Sequence, residues 1–218
     1  EDLISKKVDL IIINPTDSST VGAAIELANE AGIPVITVDR SADTGEVVKH
    51  IASDNVLGGK MAGEYLLELV GENAKVIELE GILGASAAVQ RGQGFNEAIE
   101  GKLNVVARQT ANFNRDQGLS VMENLLQANS DVKGVFAHND EMALGAIQAL
   151  EAAGIDGVFV IGFDAVDDAV NAVEDGSMAA TVAQQPKLMG KLSLEYAEKV
   201  LKGDTIETYI PVSLELVK

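Results

Sequence analysis

The sequence predicts an α/β chain built on parallel sheets, and three observations carry that reading. Short apolar runs of strand length alternate with longer stretches of helical period along the 218 residues. The runs end in polar residues, and the helical stretches stop at glycines such as Gly32, Gly71, Gly154 and Gly176. No linker, low-complexity tract or short-period repeat interrupts the alternation. The pattern is plainest at Val135-Phe136-Ala137, an apolar opening that turns polar at His138-Asn139-Asp140. Met142, Ala143, Ala146, Ile147 and Leu150 then recur on one helical face. Asn139 and Asp140 thus stand where a strand ends and a helix begins, the edge at which open α/β sheets bind ligands. Both residue types also suit a helix cap at that place. For Asp140 capping is the preferred reading.

The elements follow in order. Val8 to Ile13 reads as a buried strand, apolar on both faces. The turn Asn14-Pro15-Thr16-Asp17 leads into a helix capped by Asp17 or Ser18 and running to Ala31. Pro34 to Val38 is a strand ending in Asp39-Arg40. Val47 to Ala52 is another, ending in Ser53-Asp54-Asn55, and a helix runs from Val56 to Val70. Lys75 to Leu79 is a strand, followed by the loop Gly81 to Gly84 and a helix carrying Arg91 and Phe95. Asn104 to Gln109 ends near Phe113-Asn114-Arg115, and a helix continues to Ala128. Val132 to Ala137 and Val158 to Gly162 are strands, the latter leading to Phe163-Asp164. A short helix stops at Gly176, and Met178 to Ala183 precedes Gln184-Gln185-Pro186. The last helix spans Leu188 to Leu201, and Tyr209 to Val217 alternates as a single strand does.

Apolar residues make up 47% of the chain, enough for a sizeable core. Lys and Arg number 16 against 34 Asp and Glu, a net charge of −18. That argues against nucleic acid or an anionic membrane as partner, since both want a basic face. The absence of cysteine removes disulfides, thiolate metal sites and thiol nucleophiles. No apolar run reaches the ~18 residues of a membrane span, and no signal-peptide pattern is read in these residues.

Nearly every strand end carries a hydrogen-bonding side chain: Asp39-Arg40, Asp54, Asn139, Asp164 and Gln184. Turn preference accounts for the Asp and Asn residues, but less well for Arg40, Arg91 or Gln184. Carboxylates, amides and arginines at one kind of edge, with an aromatic beside them, suit a small polyhydroxylated ligand such as a sugar. The enzymatic motifs fit poorly. Gly84-Ala85-Ser86-Ala87-Ala88 lacks the final glycine of a nucleophile elbow. Gly58-Gly59-Lys60 lacks the earlier glycine and following hydroxyl of a phosphate loop. His50 and His138 lie far apart in sequence and read as structural or exposed rather than as metal ligands. Neither catalysis nor a cofactor is expected.

Continuous segments carry a family resemblance: INPTDSS, ITVDRSADTGEVVKHIASDNVLGGK, LEGILGASAAVQRGQGF, VFAHNDEMALGA, VIGFDAVDD and AATVAQQP. The chain resembles, from end to end, the periplasmic ribose-binding proteins of bacterial ABC transporters. The resemblance implies two lobes, each a doubly wound parallel sheet, joined by three crossing segments around a sugar cleft. The lobes are expected at 1–53 plus 185–213 and at 54–184 plus 214–218. It implies that Asp39 and Arg40 bond ring hydroxyls from one lobe. It gives Arg91, Asn139, Asp164 and Gln184 as polar contacts from the other lobe and hinge, and Phe113 as the aromatic on the sugar face. The implied partners are D-ribose or a near relative such as allose, a transporter permease and a chemoreceptor. The implied setting is a monomer in the periplasm, or lipid-anchored outside a Gram-positive cell. The sensor core of a LacI-type repressor shares the fold and is the principal alternative. Family members carry a strand, helix and strand before the point matching Glu1, with an Asn and two Phe that complete the sugar site. The N-terminal lobe is therefore expected to be incomplete, with Val8 to Ile13 as an open edge and with weakened binding.

Overall fold

The computed structural model describes residues 2–218. In chain order the elements are α1 (Asp2–Ser5), β1 (Ile11–Ile13), α2 (Gly22–Glu30), β2 (Val35–Val38), β3 (Lys49–Ser53) and α3 (Asn55–Val70). There follow β4 (Lys75–Glu80), α4 (Ser86–Ile99), β5 (Asn104–Thr110), α5 (Arg115–Leu126), β6 (Gly134–Ala137) and α6 (Asp140–Ala153). The chain closes with β7 (Phe159–Asp164), α7 (Asp167–Glu174), β8 (Ala180–Ala183), α8 (Pro186–Lys202), β9 (Tyr209–Val212) and β10 (Glu215–Val217). They form two compact units: Glu1–Asp54, Gly84–Ala87 and Gln185–Ser213; and Asn55–Leu83, Ala88–Gln184 and Leu214–Lys218.

The first unit holds a parallel four-stranded sheet in the order β1-β2-β3-β9. Side-chain alternation along β2 divides its core. Val35 packs on one face with Ile25, Ala28 and Ile33, and Ile36 on the other with Ile51, Met189 and Val212. The strand β1 pairs only with β2, and Ile12 is 38% exposed. It is thus an edge strand, as an incomplete N-terminal lobe leads one to expect, although its run of isoleucines has the apolar character of an interior strand. Lys49 is wholly buried in β3, its ammonium bonded to the Glu207 carbonyl and set 4.5 Å from the centre of the Tyr196 ring.

The second unit holds a six-stranded sheet in the order β10-β8-β7-β6-β4-β5. All neighbours are parallel except β10, which runs antiparallel to β8. The inner strands β4, β6, β7 and β8 are largely buried on both faces, as strands inside a covered parallel sheet are, whereas the edge strands β5 and β10 are more exposed. Val76, Phe136 and Ile161 face Leu66 and Phe95 on the side of α3 and α4. Ile77, Val135 and Val160 face Met122, Ala143 and Ala169 on the side of α5 to α7. The helices α3 and α4 meet backbone to backbone. A Cβ at Gly94 would lie 1.9 Å from the Val56 carbonyl oxygen, and one at Gly59 would lie 2.0 Å from that of Arg91. Only glycine permits that approach. After β4 the chain moves outward to β5 and then returns to place β6 on the other flank of β4. The switch point is therefore between β4 and β6.

Three local expectations are corrected. The tail is two strands, β9 in the first unit and β10 in the second, because the chain changes sheet at Ser213-Leu214. Asp17 does not cap α2. It accepts the Ser19 and Thr20 amides at 2.8 and 3.1 Å inside a preceding turn, and α2 begins after Val21 without a side-chain cap. Asp140 does not cap α6 either, since Asn139 takes that role by accepting the Met142 amide at 3.0 Å. The fully buried Asp140 instead accepts the Val166 amide at 2.9 Å and the Thr181 hydroxyl at 2.7 Å, tying the start of α7 to β8. Burial pushes its carboxyl above the ordinary range, and those two bonds oppose the shift only in part.

Two predictions follow from this architecture. Asp140→Ala strands a buried amide and hydroxyl and should cost about 1–3 kcal/mol for each group left unbonded. Asp140→Asn, which keeps an acceptor, should cost less. Urea denaturation midpoints measure both, and an alanine variant as stable as the wild type would contradict the pinning role. Hydrogen exchange should be fast at Ile11 to Ile13, on an edge, and slow at Val135 to Ala137, which is flanked on both sides. Equal protection of the two would overturn that ranking.

Candidate functional site

Five of the seven residues singled out from the sequence gather at the carboxyl edge of the second unit's sheet. Asp164 is the last residue of β7, Asn139 follows β6, Gln184 follows β8, Phe113 follows β5, and Arg91 stands on α4. Arg91 is the centre of the group and is 3% exposed. Its Nε donates to Asn55 Oδ1 at 2.9 Å, and its Nη1 donates to the His138 carbonyl at 2.6 Å. Nη1 also lies 3.6 Å from Asp164 Oδ1. The guanidinium carbon sits 3.7 Å from the centre of the Phe163 ring and 5.9 Å from that of Phe113. Charge, directed acceptors and an aromatic face together offset the cost of burying a cation.

Asp164 is held in turn by Gln184, whose Nε2 donates to Oδ1 at 2.6 Å. Arg91, Asp164 and Gln184 are thus one contiguous chain of polar groups. Phe113 and Asn139 form a second contact, with Asn139 Nδ2 donating to the Phe113 carbonyl at 3.4 Å. Asn139 thus fills one of the two roles that the sequence left open for it: its oxygen caps α6, while its amide nitrogen is bonded to the Phe113 carbonyl.

The first unit supplies the remaining pair. Asp39 and Arg40 follow β2 directly. Asn14 Nδ2 donates to Asp39 Oδ2 at 3.2 Å, and Arg40 Nη1 donates to the Thr16 carbonyl at 2.9 Å. Arg40 Nε lies 3.8 Å from Asp39 Oδ2. The turn Asn14 to Asp17 thus orients the pair.

Backbone conformation marks the same residues. Among the described residues, seven other than glycine have positive φ, and five of these are Asp39, Asn112, Phe113, Asp164 and Ala165. Such conformations cost of order 1–3 kcal/mol each and collect where a side chain must be aimed. Asp39 at 67°, Phe113 at 59° and Asp164 at 123° are three of the residues already named.

Sequence reasoning missed four contributors. Asn14 read only as a turn, Asn55 and Phe163 only as strand ends, and His138 only as structural or exposed. Asn55 carried a usable signal, an amide at the start of a helix beside a ligand edge. Phe163 carried none, because an aromatic under a guanidinium looks like any core aromatic in sequence. A pocket of about 280 Å³ opens next to the group, lined by Gly81, Gln93, Asn96, Arg108 and His138 among others. A roomier one of about 530 Å³ lies at the far ends of β7 and β8 and contains none of the named residues. Among the described residues no group of three His, Cys, Asp or Glu side chains is gathered to hold a metal ion, and no helix is long and apolar enough to cross a membrane. The arrangement presents fixed donors, fixed acceptors and an aromatic face, the chemistry of recognition.

Comparison with known proteins shows the family. Residues 1–205 match the family model of the periplasmic binding protein domain. The ribose import binding protein RbsB of Escherichia coli K12 is 56% identical over the whole of this chain, which covers 74% of that relative's length. The protein of the same name from Bacillus subtilis is 51% identical over 99% of this chain and 70% of its own length. A crystal structure of a periplasmic solute-binding protein of an ABC transporter from Actinobacillus succinogenes, with bound D-allose, superposes with a TM-score of 0.91 at 35% identity, covering all of this chain and 79% of that one. The chain belongs to the periplasmic binding protein domain family.

Proposed function

We propose that this protein is the D-ribose-binding component of a bacterial ABC importer, a receptor without catalytic activity. Identity above 50% to ribose import binding proteins across the chain carries the reading. A solved relative with bound D-allose stands at 35%, so ribose is placed first and allose second. The two lobes are those the resemblance implies, 1–53 plus 185–213 and 54–184 plus 214–218. Asp39 and Arg40 bond ring hydroxyls from one lobe. Arg91, Asn139, Asp164 and Gln184 bond them from the other, and Phe113 covers an apolar face of the sugar. Ribose, by bonding both sets, favours a closed form that the permease recognises. A chemoreceptor is a further partner of that form. The protein acts as a monomer in the periplasm, or tethered outside a Gram-positive cell.

Calorimetric titration with ribose, allose and galactose tests the assignment. Ribose should bind most tightly, and preference for another of the three would replace the ligand. Arg91→Ala should weaken ribose binding about 10- to 150-fold, the equivalent of roughly 1.5–3 kcal/mol for hydrogen bonds to a charged group. Arg91→Lys should not restore it, because an ammonium cannot serve Asn55, the His138 carbonyl and a sugar oxygen with one planar fork. Unchanged affinity in either variant would remove Arg91 from the site. Asp164→Asn should melt near the wild-type temperature without sugar and lose the ribose-induced rise, which reports binding by linkage. A large fall in the sugar-free melting temperature would make Asp164 structural instead.

A further inference from the structure

Beneath the edge, at the switch point between β4 and β6, lies a buried polar group that the sugar contacts do not use. Glu78, on β4, is fully buried, and His138 is 1% exposed. His138 Nε2 lies 3.0 Å from Glu78 Oε1. The other ring nitrogen, Nδ1, accepts the Gly81 amide at 3.3 Å. An amide N–H can only donate, so Nδ1 is bare and the proton of a neutral ring is on Nε2, directed at the carboxylate. Glu78 is tied on its remaining lone pairs. Arg108 Nε donates to Oε2 at 2.6 Å, and Asn96 Nδ2 reaches the same oxygen at 3.1 Å. Burial pushes the Glu78 carboxyl up, but the bonds from His138 and Arg108 outweigh it and hold the group below the ordinary carboxylate range. The charged groups around the imidazole are Glu78 and Glu80 on β4, Arg108 on β5 and Arg91 on α4.

Both ends of this arrangement reach residues of the site. The His138 carbonyl is the acceptor of Arg91 Nη1 at 2.6 Å. Gly81, whose amide the imidazole holds, lies directly under the Phe113 ring: a Cβ there would be 2.1 Å from the ring's Cζ. The Gly81 carbonyl also accepts the Thr110 hydroxyl at 2.7 Å, so the loop is fixed from both sides. A carbonyl is present whatever side chain stands at position 138. What the imidazole adds is a fixed place for that carbonyl and for the Gly81 loop.

We propose that His138, held by Glu78 as the Nε2–H tautomer, is a positioning residue for sugar binding that sets Arg91 through its carbonyl and Phe113 through Gly81. It touches no sugar itself. The proposal rests on the ribose reading above and deepens it. Glu78 orients the ring, as an outer carboxylate orients a histidine elsewhere. A ring protonated on Nδ1 would set two N–H groups against each other at Gly81, and the support under Phe113 would shift.

Nitrogen-15 NMR of histidine-labelled protein, without sugar, should show a proton on His138 Nε2 and Nδ1 bare. Glu78→Gln, whose amide can donate to the ring, should move the tautomer balance toward Nδ1–H. His138→Gln keeps an N–H that can donate to Glu78 and an amide oxygen that can accept from Gly81. It should stay within about threefold of wild-type ribose affinity. His138→Phe keeps a ring but neither bond and should lose about tenfold or more, comparable to one charged hydrogen bond. Wild-type affinity in His138→Phe, or an Nδ1–H ring in the wild type, would overturn the proposal. If His138→Phe does not fold, the tautomer and the Glu78→Gln and His138→Gln variants decide it. A wild-type protein that binds no ribose would remove the ribose reading alone. The tautomer and its response to Glu78→Gln are read without sugar, so the positioning arrangement would still stand or fall on them.

Discussion

A permanently charged guanidinium, almost out of reach of water, is the constraint on which the rest of the second unit's edge depends. Arg91 cannot shed its proton at any accessible pH, so the fold must satisfy it. It does so with an amide oxygen from the start of α3, a backbone carbonyl after β6, a carboxylate at the end of β7 and an aromatic ring beside it. Three separate segments thus converge on one side chain, β7 supplying both the carboxylate and the ring. Each is fixed independently, which makes the guanidinium rigid. A rigid donor loses little freedom when a ligand arrives, and that is how preorganisation adds to affinity.

Rigidity at Arg91 begins in the packing of helices. Arg91 rides on α4, and α4 lies against α3 at backbone distance because Gly59 and Gly94 carry no side chain. The same pair of helices covers one face of the sheet through Leu66 and Phe95. Core packing and site geometry are therefore the same contact seen from two sides. A methyl group at either glycine would move the charged group along with the helix.

Charge is arranged in tiers. At the edge, Arg91 and Asp164 offset each other, and Gln184 steadies the carboxylate. One layer down, Glu78 is balanced by Arg108 and bonded to His138. On the outer helices, Arg115 makes two bonds to Glu141 and a third to Asp168, all at 2.9 Å, tying α5 to α6 and α7. A chain with a net charge of −18 has few cations to place. Arg91, Arg108 and Arg115 each sit where two carboxylates or fixed dipoles converge, geometry that a planar fork matches and an ammonium does not.

The sequence by itself determined the α/β alternation, the nearly parallel sheets and the polar strand ends. Those are local matters: apolar runs short enough for strands, helical faces closed by glycine, and residues that end a strand because they prefer turns. It also marked Arg91 and Gln184, since neither residue type forms turns. What only the tertiary structure decided was partnership. Asp140 stands beside Asn139 in sequence, yet one pins β8 and α7 while the other caps α6. The tail reads as one alternating strand and serves two sheets. The run of isoleucines in β1 records apolar character and not how many neighbours it has; its place at an edge was expected only from the family resemblance. Phe163 reads only as the end of a strand and forms a cation's floor. Hydrogen bonds and ring contacts between residues dozens of positions apart depend on where the folded backbone brings them, and no local pattern encodes that distance.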